Sequence, residues 1–139
     1  MSSVTDELLK ELKNTSDIES FFKTHESHFI EETTAGYLNT LLKTKNTTLA
    51  AVAKKSGIGE YVYKIFRGER TASRYVLITL ALSMGLSLEE TQLLLRISKY
   101  AVLDSRDKRD SVIIYSLAHG FSVFQTDDLL EEQNMVTLT

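Results

Sequence analysis

Apolar residues recur every three or four positions along almost the whole chain, which is the spacing of one face of an α-helix. Glycine or a Ser/Thr cap separates most of these stripes. The first four stripes are Leu8/Leu9/Leu12, Ile18/Phe21/Phe22 (extended by Phe29), Tyr37/Leu38/Leu41/Leu42 and Leu49/Val52/Ala53, and further helices are predicted at 59–67, 74–84, 88–98, 107–119 and 123–132. Only Val112 to Tyr115 reads like a strand. The pattern predicts an all-α protein.

Composition supports this fold class and excludes several kinds of protein. The 139 residues include no proline, the usual helix breaker, and no cysteine for disulfides or thiolate metal sites. No apolar run is long enough to span a bilayer, and the first residues do not resemble a secretory signal, so we expect a cytoplasmic protein with no membrane partner. The predicted organisation is an acidic helical extension at 1–36, a central core at 37–95 and a C-terminal helical hairpin at 96–139.

The net charge of −3 conceals an uneven distribution. Residues 43–74 contain eight basic and two acidic side chains, which gives +6, whereas 1–42 carries −5 and 75–139 carries −4. A basic segment inside an acidic chain is typical of a surface that binds polyanions. The alternative is a solvated helix face with no ligand.

The C-terminal half contains an internal repeat with an offset of 35 residues. Residues 74–95 align without gaps on 109–130, and eight positions are identical, including Arg74/Arg109, Gly85/Gly120 and Ser87/Ser122. Each copy predicts a helix that ends at glycine and a second helix that starts with a capping box. The repeat therefore predicts two equivalent helical hairpins.

Two short helices joined by a tight turn occupy the basic segment. The first is predicted at 48–56, the turn at Gly57 and Ile58, and the second at 59–67, because Val52, Val62 and Ile65 have the spacing of a shared core. This register leaves Glu60, Tyr61, Tyr63, Lys64 and Arg67 on the outer side. A projecting helix with tyrosine and lysine, followed by several arginines, suits insertion into a DNA major groove.

These residues resemble the Cro/repressor-type (XRE-family) helix-turn-helix proteins of bacteria and phages. The resemblance runs from about Tyr37 to Leu95 and is carried by Leu49 to Ile58, by Tyr61-Val62-Tyr63-Lys64-Ile65-Phe66-Arg67-Gly68-Glu69-Arg70 and by Leu80 to Glu90; a tail with Arg106-Asp107-Lys108-Arg109-Asp110 extends it. It implies a repressor-like helical bundle that binds double-stranded DNA.

Two positions depart from the pattern of that family. One residue fewer than usual lies between Gly57 and Gly68, which leaves a second register open, with Tyr63 and Phe66 directed inward in place of Val62 and Ile65. Ala72 stands where relatives often carry proline, so that the loop is expected to be less rigid.

The predicted function is sequence-specific DNA binding as a transcriptional regulator, with repressor preferred, and no cofactor. Base edges would be read by Glu60, Tyr61, Tyr63 and Lys64, and phosphates would be held by Thr48, Lys55, Arg67, Arg70, Ser73 and Arg74. Because operators usually have paired half-sites, we expect a homodimer, formed through the C-terminal hairpin.

The sequence also bears on two other classes of function. An enzyme is not expected, because the sequence contains no nucleophile-elbow or phosphate-loop motif, and His25 and His28 lack a third metal ligand at a fixed spacing. A protein-interaction adaptor or inhibitor on the same scaffold remains the alternative, with the acidic terminal segments as its contact surface.

Overall fold

A computed structural model of the protein describes residues 4–25 and 32–139, and those residues form only helices and connecting loops. The all-α prediction is therefore confirmed for this part of the chain. The helices are α1 (Val4–Asn14), α2 (Ile18–Thr24), α3 (Thr34–Thr44), α4 (Leu49–Ser56), α5 (Tyr61–Phe66), α6 (Arg74–Met84), α7 (Leu88–Ile97), α8 (Lys108–Ala118) and α9 (Val123–Glu132). Val112 to Tyr115, the strand-like run, lies inside α8.

The chain divides into two compact units, Met1–Glu31 and Glu32–Thr139. In the first, α1 buries none of its residues and α2 is capped by the Asp17 carboxylate, which accepts from the amides of Glu19 and Ser20. His25 Nε2 lies 2.6 Å from a carboxylate oxygen of Glu11. His28 and Phe29, which the sequence pattern singled out, lie outside the described residues.

The second unit is built around α3 to α7. Thr33 and Thr48 cap α3 and α4 by accepting backbone N–H groups, and Gly57 ends α4 in the left-handed conformation that favours glycine. α5 is shorter than predicted: it begins at Tyr61, not at 59, and ends at Phe66. Gly59 has φ +74°, and a residue with positive φ cannot continue a right-handed helix. The turn is therefore longer and α5 forms fewer than two turns.

α5 has the register in which Val62 and Ile65 point inward, the first of the two that the sequence predicts. Val62 and Ile65 are buried together with Phe66, while Tyr63 is only partly covered. Val52 of α4 is fully buried, and Ile58 of the turn packs against the same core. The second register, with Tyr63 inward in place of Val62, is wrong, although Phe66 does point into the core.

The repeat at an offset of 35 residues is confirmed in detail. Gly85 and Gly120 have φ values of 65° and 66°, and Ser87 and Ser122 both close complete capping boxes. Equivalent side chains also bind the segment after each hairpin: Arg74 donates to the carbonyls of 101 and 102, and Arg109 donates to those of 136 and 137. The hairpins α6–α7 and α8–α9 are therefore two copies of one structural unit.

The two hairpins form a closed four-helix arrangement. α6 packs against α7 and α9, and α8 packs against α7 and α9, while α4 and α3 pack on the α6–α7 hairpin. Equivalent pairs of the two hairpins, Ile78/Ile113 and Leu82/Leu117, are all buried. The C-terminal hairpin thus belongs to the same compact unit as the central core, and that unit begins at Glu32, before the predicted boundary at 37.

Candidate nucleic-acid interface

The outer face of α5 brings four side chains together. Glu60, Tyr63, Lys64 and Arg67 line one shallow surface depression and have the i, i+3, i+4, i+7 spacing of a single helical stripe. The opposite face of the helix is anchored in the core by Val62, Ile65 and Phe66. Four of the sequence-predicted residues therefore share one surface on α5 and its two cap positions, with Tyr63 partly covered and the other three exposed.

Tyr61 occupies a different position from the other three residues predicted to read bases. Its ring packs against the core, and its hydroxyl donates to the backbone carbonyl of Thr71 at 2.8 Å. The hydroxyl therefore ties the start of α5 to the loop that carries Arg70. Tyr61 acts in this structure as a positioning residue for α5 and that loop.

The arginines after α5 differ in whether their charges form ion pairs within the protein. Arg67 makes a two-point ion pair with Glu69, with Nε and Nη2 at 3.0 and 3.1 Å from the two carboxylate oxygens, and both side chains are exposed. Arg70 is exposed and has no ion pair within residues 4–25 and 32–139. Lys64 is likewise exposed and unpaired over the same ranges. Lys64 is therefore an available cation on the stripe, and Arg70 is an available cation in a neighbouring depression that it shares with Arg67.

The guanidinium of Arg74, which is predicted to hold phosphate, is engaged inside the protein. Its guanidinium forms a two-point ion pair with Asp110, at 3.1 and 3.4 Å, and donates to the carbonyls of Ala101 and Val102. Asp110, from the first turn of α8, is buried. Tertiary packing brings the starts of α6 and α8 together, so the charge of Arg74 is used inside the protein.

The remaining predicted phosphate ligands lie at helix ends. Thr48 and Ser73 cap α4 and α6, where their oxygens accept from the amides of Ala51 and Val76, and each hydroxyl keeps a proton to donate. Lys55 is exposed at the end of α4, but it lines a separate depression together with residues 45–47 and 120–125. The structure therefore does not group Lys55 with the stripe on α5.

Two contacts that stabilise this region have no signal in the sequence. The Asn39 side-chain amide donates to the carbonyl of Phe66 at 2.8 Å and so caps the end of α5 from α3. Lys45 Nζ lies 2.7 Å from a carboxylate oxygen of Glu90, which joins the α3–α4 loop to the capping box of α7. Both contacts join residues 27 or more positions apart, which periodicity cannot reveal.

Glu90 and the neighbouring Tyr37 both have shifted pKa values. Burial raises the pKa of the Glu90 carboxyl, but hydrogen bonds from Lys45 and Ser87 outweigh it and hold that pKa below its ordinary value. Burial, and then the nearby Glu90 charge, raise the pKa of the Tyr37 hydroxyl. Glu90 is therefore ionised at neutral pH and joins the start of α7 to the end of α3.

Comparison of the chain with protein-family models, curated proteins and solved structures finds no match. Within the described residues, no cluster of His, Asp and Glu has the composition of a metal site. Over the same residues, no helix is both long and apolar enough to cross a bilayer.

Proposed function

We propose that this protein is a sequence-specific double-stranded DNA-binding regulator of the repressor-like helix-turn-helix type, with α4 and α5 as the two helices of the motif. The observation that carries the proposal is the surface stripe formed by Tyr63 and Lys64 of α5 and the flanking cap residues Glu60 and Arg67, within the segment of charge +6. A short helix with one anchored face and one polar, cationic face can enter the major groove and present side chains to base edges.

The roles follow from the surroundings of each residue. Tyr63, Lys64 and Glu60 contact base edges; Lys64 donates to guanine, and Glu60 accepts from the amino group of cytosine. Arg70 and Arg67 neutralise phosphates, with Thr48 and Ser73 donating hydroxyl protons at the ends of α4 and α6. Arg67 can bind phosphate only when it releases its ion pair with Glu69. Lys55 contacts the more distant backbone, and Tyr61 and Asn39 hold α5 in place.

The decisive experiment is selection of bound sequences from a random duplex pool at moderate salt, followed by affinity measurements on the enriched duplex at several salt concentrations. Binding that involves several phosphates weakens by orders of magnitude over a few-fold rise in salt. Lys64→Ala should reduce discrimination between the selected site and its single-base variants by about 1–3 kcal/mol at one position.

Arg70→Ala should weaken binding to every duplex alike and reduce the salt slope by about one. Arg96→Ala is the matched control, because it removes one exposed cation from α7, outside the basic segment. If no duplex is enriched and one stoichiometric protein partner is captured instead, the adaptor function replaces DNA binding. If Lys64→Ala and Arg70→Ala give the same footprint, the division between base and phosphate contacts is wrong.

A further inference from the structure

A groove of about 610 Å³ lies where the end of α6, the start of α9 and the loop between α3 and α4 meet. We call it the α6–α9 groove. Leu82, Met84 and Val123 form its floor, and all three side chains are buried. It is separate from the depression that holds the α5 stripe, and of the residues proposed to contact DNA it includes Lys55 alone. The groove is therefore a second surface that DNA binding leaves almost unused.

Two aromatic side chains line the α6–α9 groove beside its apolar floor. Phe124, the second residue of α9, is 75% exposed. Phe121, in the turn before α9, is only partly covered. Exposed apolar side chains that adjoin one another, with polar residues around them, mark surfaces that bind a partner.

The internal repeat shows that the hairpin itself does not require these residues. Phe124 and Gln125 correspond to Glu89 and Glu90, the two acids in the first turn of α7. Acidic side chains stabilise the start of a helix, yet α9 has none in its first turn. Both copies nevertheless form the same hairpin with complete capping boxes. The fold of α9 therefore does not account for an exposed phenylalanine at 124.

The charge of the groove is positive. Lys45 and Lys55 line it, and none of the described residues that line it is acidic. Lys55 is exposed and forms no ion pair within residues 4–25 and 32–139, whereas Lys45 pairs with Glu90 from outside the lining. The positive end of the α9 dipole adds to this field. An apolar floor, exposed aromatic rings and an available cation thus lie side by side.

We propose that the α6–α9 groove binds an acidic segment of a partner protein, with one apolar side chain beside Phe124 and a carboxylate paired with Lys55. Charge complementarity selects an acidic partner. The floor of leucine, methionine and valine suits an aliphatic or aromatic side chain, and one unpaired lysine is too few for a phosphate backbone. This surface lies beyond the proposed DNA contacts and does not depend on them.

The test is selection of random peptides displayed on phage against the full chain, followed by fluorescence anisotropy of the enriched peptides in solution. Enriched peptides should carry aspartate or glutamate around a leucine or an aromatic residue. Phe124→Ser should weaken their binding about tenfold or more. Tyr115→Ser is the matched control, because Tyr115 is 48% exposed on α8 and lines a different depression, and this variant should bind the peptides unchanged.

A pair of lysine variants tests the charge. Lys55→Gln should weaken peptide binding by up to about fivefold, the range of one exposed ion pair. Lys54→Gln removes the exposed cation next to it, which does not line the groove, and should leave binding unchanged. Circular dichroism of each variant checks that the helices persist.

The proposal is overturned if no peptide is enriched, if the enriched peptides lack acidic residues, or if they bind Phe124→Ser as tightly as the unmodified chain. It is also overturned if Phe124→Ser abolishes self-association, since the occupant is then a second copy, or if a single-stranded oligonucleotide binds the groove more tightly than the peptides. Because the assay contains no duplex, peptide binding by a chain that enriches no duplex leaves this proposal intact and overturns DNA binding. Duplex enrichment without peptide binding does the reverse.

Discussion

Arg74 and Asp110, which are 36 residues apart in the sequence, form a two-point ion pair that joins the first turn of α6 to the first turn of α8. Asp110 also accepts the amide proton of Asp104 at 3.0 Å, so the pair fixes the loop between α7 and α8 as well. This ion pair thus adds a polar link between two hairpins that also share one apolar core.

Removal of either partner should destabilise the protein. Arg74→Ala leaves the buried Asp110 carboxylate without its cation, and we expect the free energy of unfolding to fall by about 2–3 kcal/mol in urea titrations. Arg74→Lys keeps the charge but cannot make the two-point contact. Its free energy of unfolding should therefore lie between those of the unmodified protein and Arg74→Ala. If Arg74→Ala is as stable as the unmodified protein and binds duplex weakly, Arg74 contacts phosphate after all.

The equivalence of the two hairpins makes a prediction about Tyr75. Arg109 Nη1 is buried and has no hydrogen-bond partner, and Tyr75 occupies the position that is aspartate in the other hairpin. Tyr75→Asp should therefore provide the missing carboxylate and stabilise the protein by about 1 kcal/mol relative to the neutral control Tyr75→Asn. The difference should disappear in an Arg109→Gln background. A difference that persists there would indicate a helix-dipole effect at the start of α6.

A substitution at Tyr61 distinguishes a residue that positions α5 from one that contacts DNA bases. Tyr61→Phe removes the hydrogen bond to the Thr71 carbonyl and keeps the packed ring, so we expect a loss of about 0.5–1 kcal/mol in the free energy of unfolding. Base preferences in duplex selection should be unchanged. A changed preference at one base position would show that the hydroxyl contacts DNA.

Glu90 should make stability depend on pH in the acidic range. Because the folded-state pKa of Glu90 lies below its unfolded value, its contribution is complete above the unfolded value of about 4.3 and is lost as the pH falls through the lower folded value. Glu90→Gln should lower the free energy of unfolding by about 1 kcal/mol at neutral pH and reduce its dependence on acid pH. The capping box at Ser87 should persist in Glu90→Gln, because a glutamine, Gln125, closes the equivalent box in the second hairpin. Urea titrations at pH 3 to 7 measure both effects, and a pH profile identical to that of the unmodified chain would contradict them.

Local features of the sequence predicted most helices. The apolar period marks the buried faces of α3, α4 and α6, and the caps at Thr48, Ser87 and Ser122 were visible because capping depends on neighbouring residues alone. The start of α5 was missed because nothing local shows that Gly59 adopts positive φ. Of the predicted site, Glu60, Tyr63, Lys64 and Arg67 lie together because a single helix determines their spacing.

By itself, the sequence determined the helical class, the repeated hairpin and the outward positions of Tyr63 and Lys64 on α5, since each depends on the period of one helix and the chemistry of its ends. It also placed Tyr61 on the outer side, whereas the Tyr61 ring packs against the core. Only the tertiary structure decided which charges remain available to a ligand. Arg74 and Arg109 occupy equivalent positions of the repeat. Arg74 nevertheless pairs with the Asp110 carboxylate, whereas Arg109 stacks on the Tyr75 ring. Those partners are set by how the hairpins pack, because packing brings together residues that no local interaction connects.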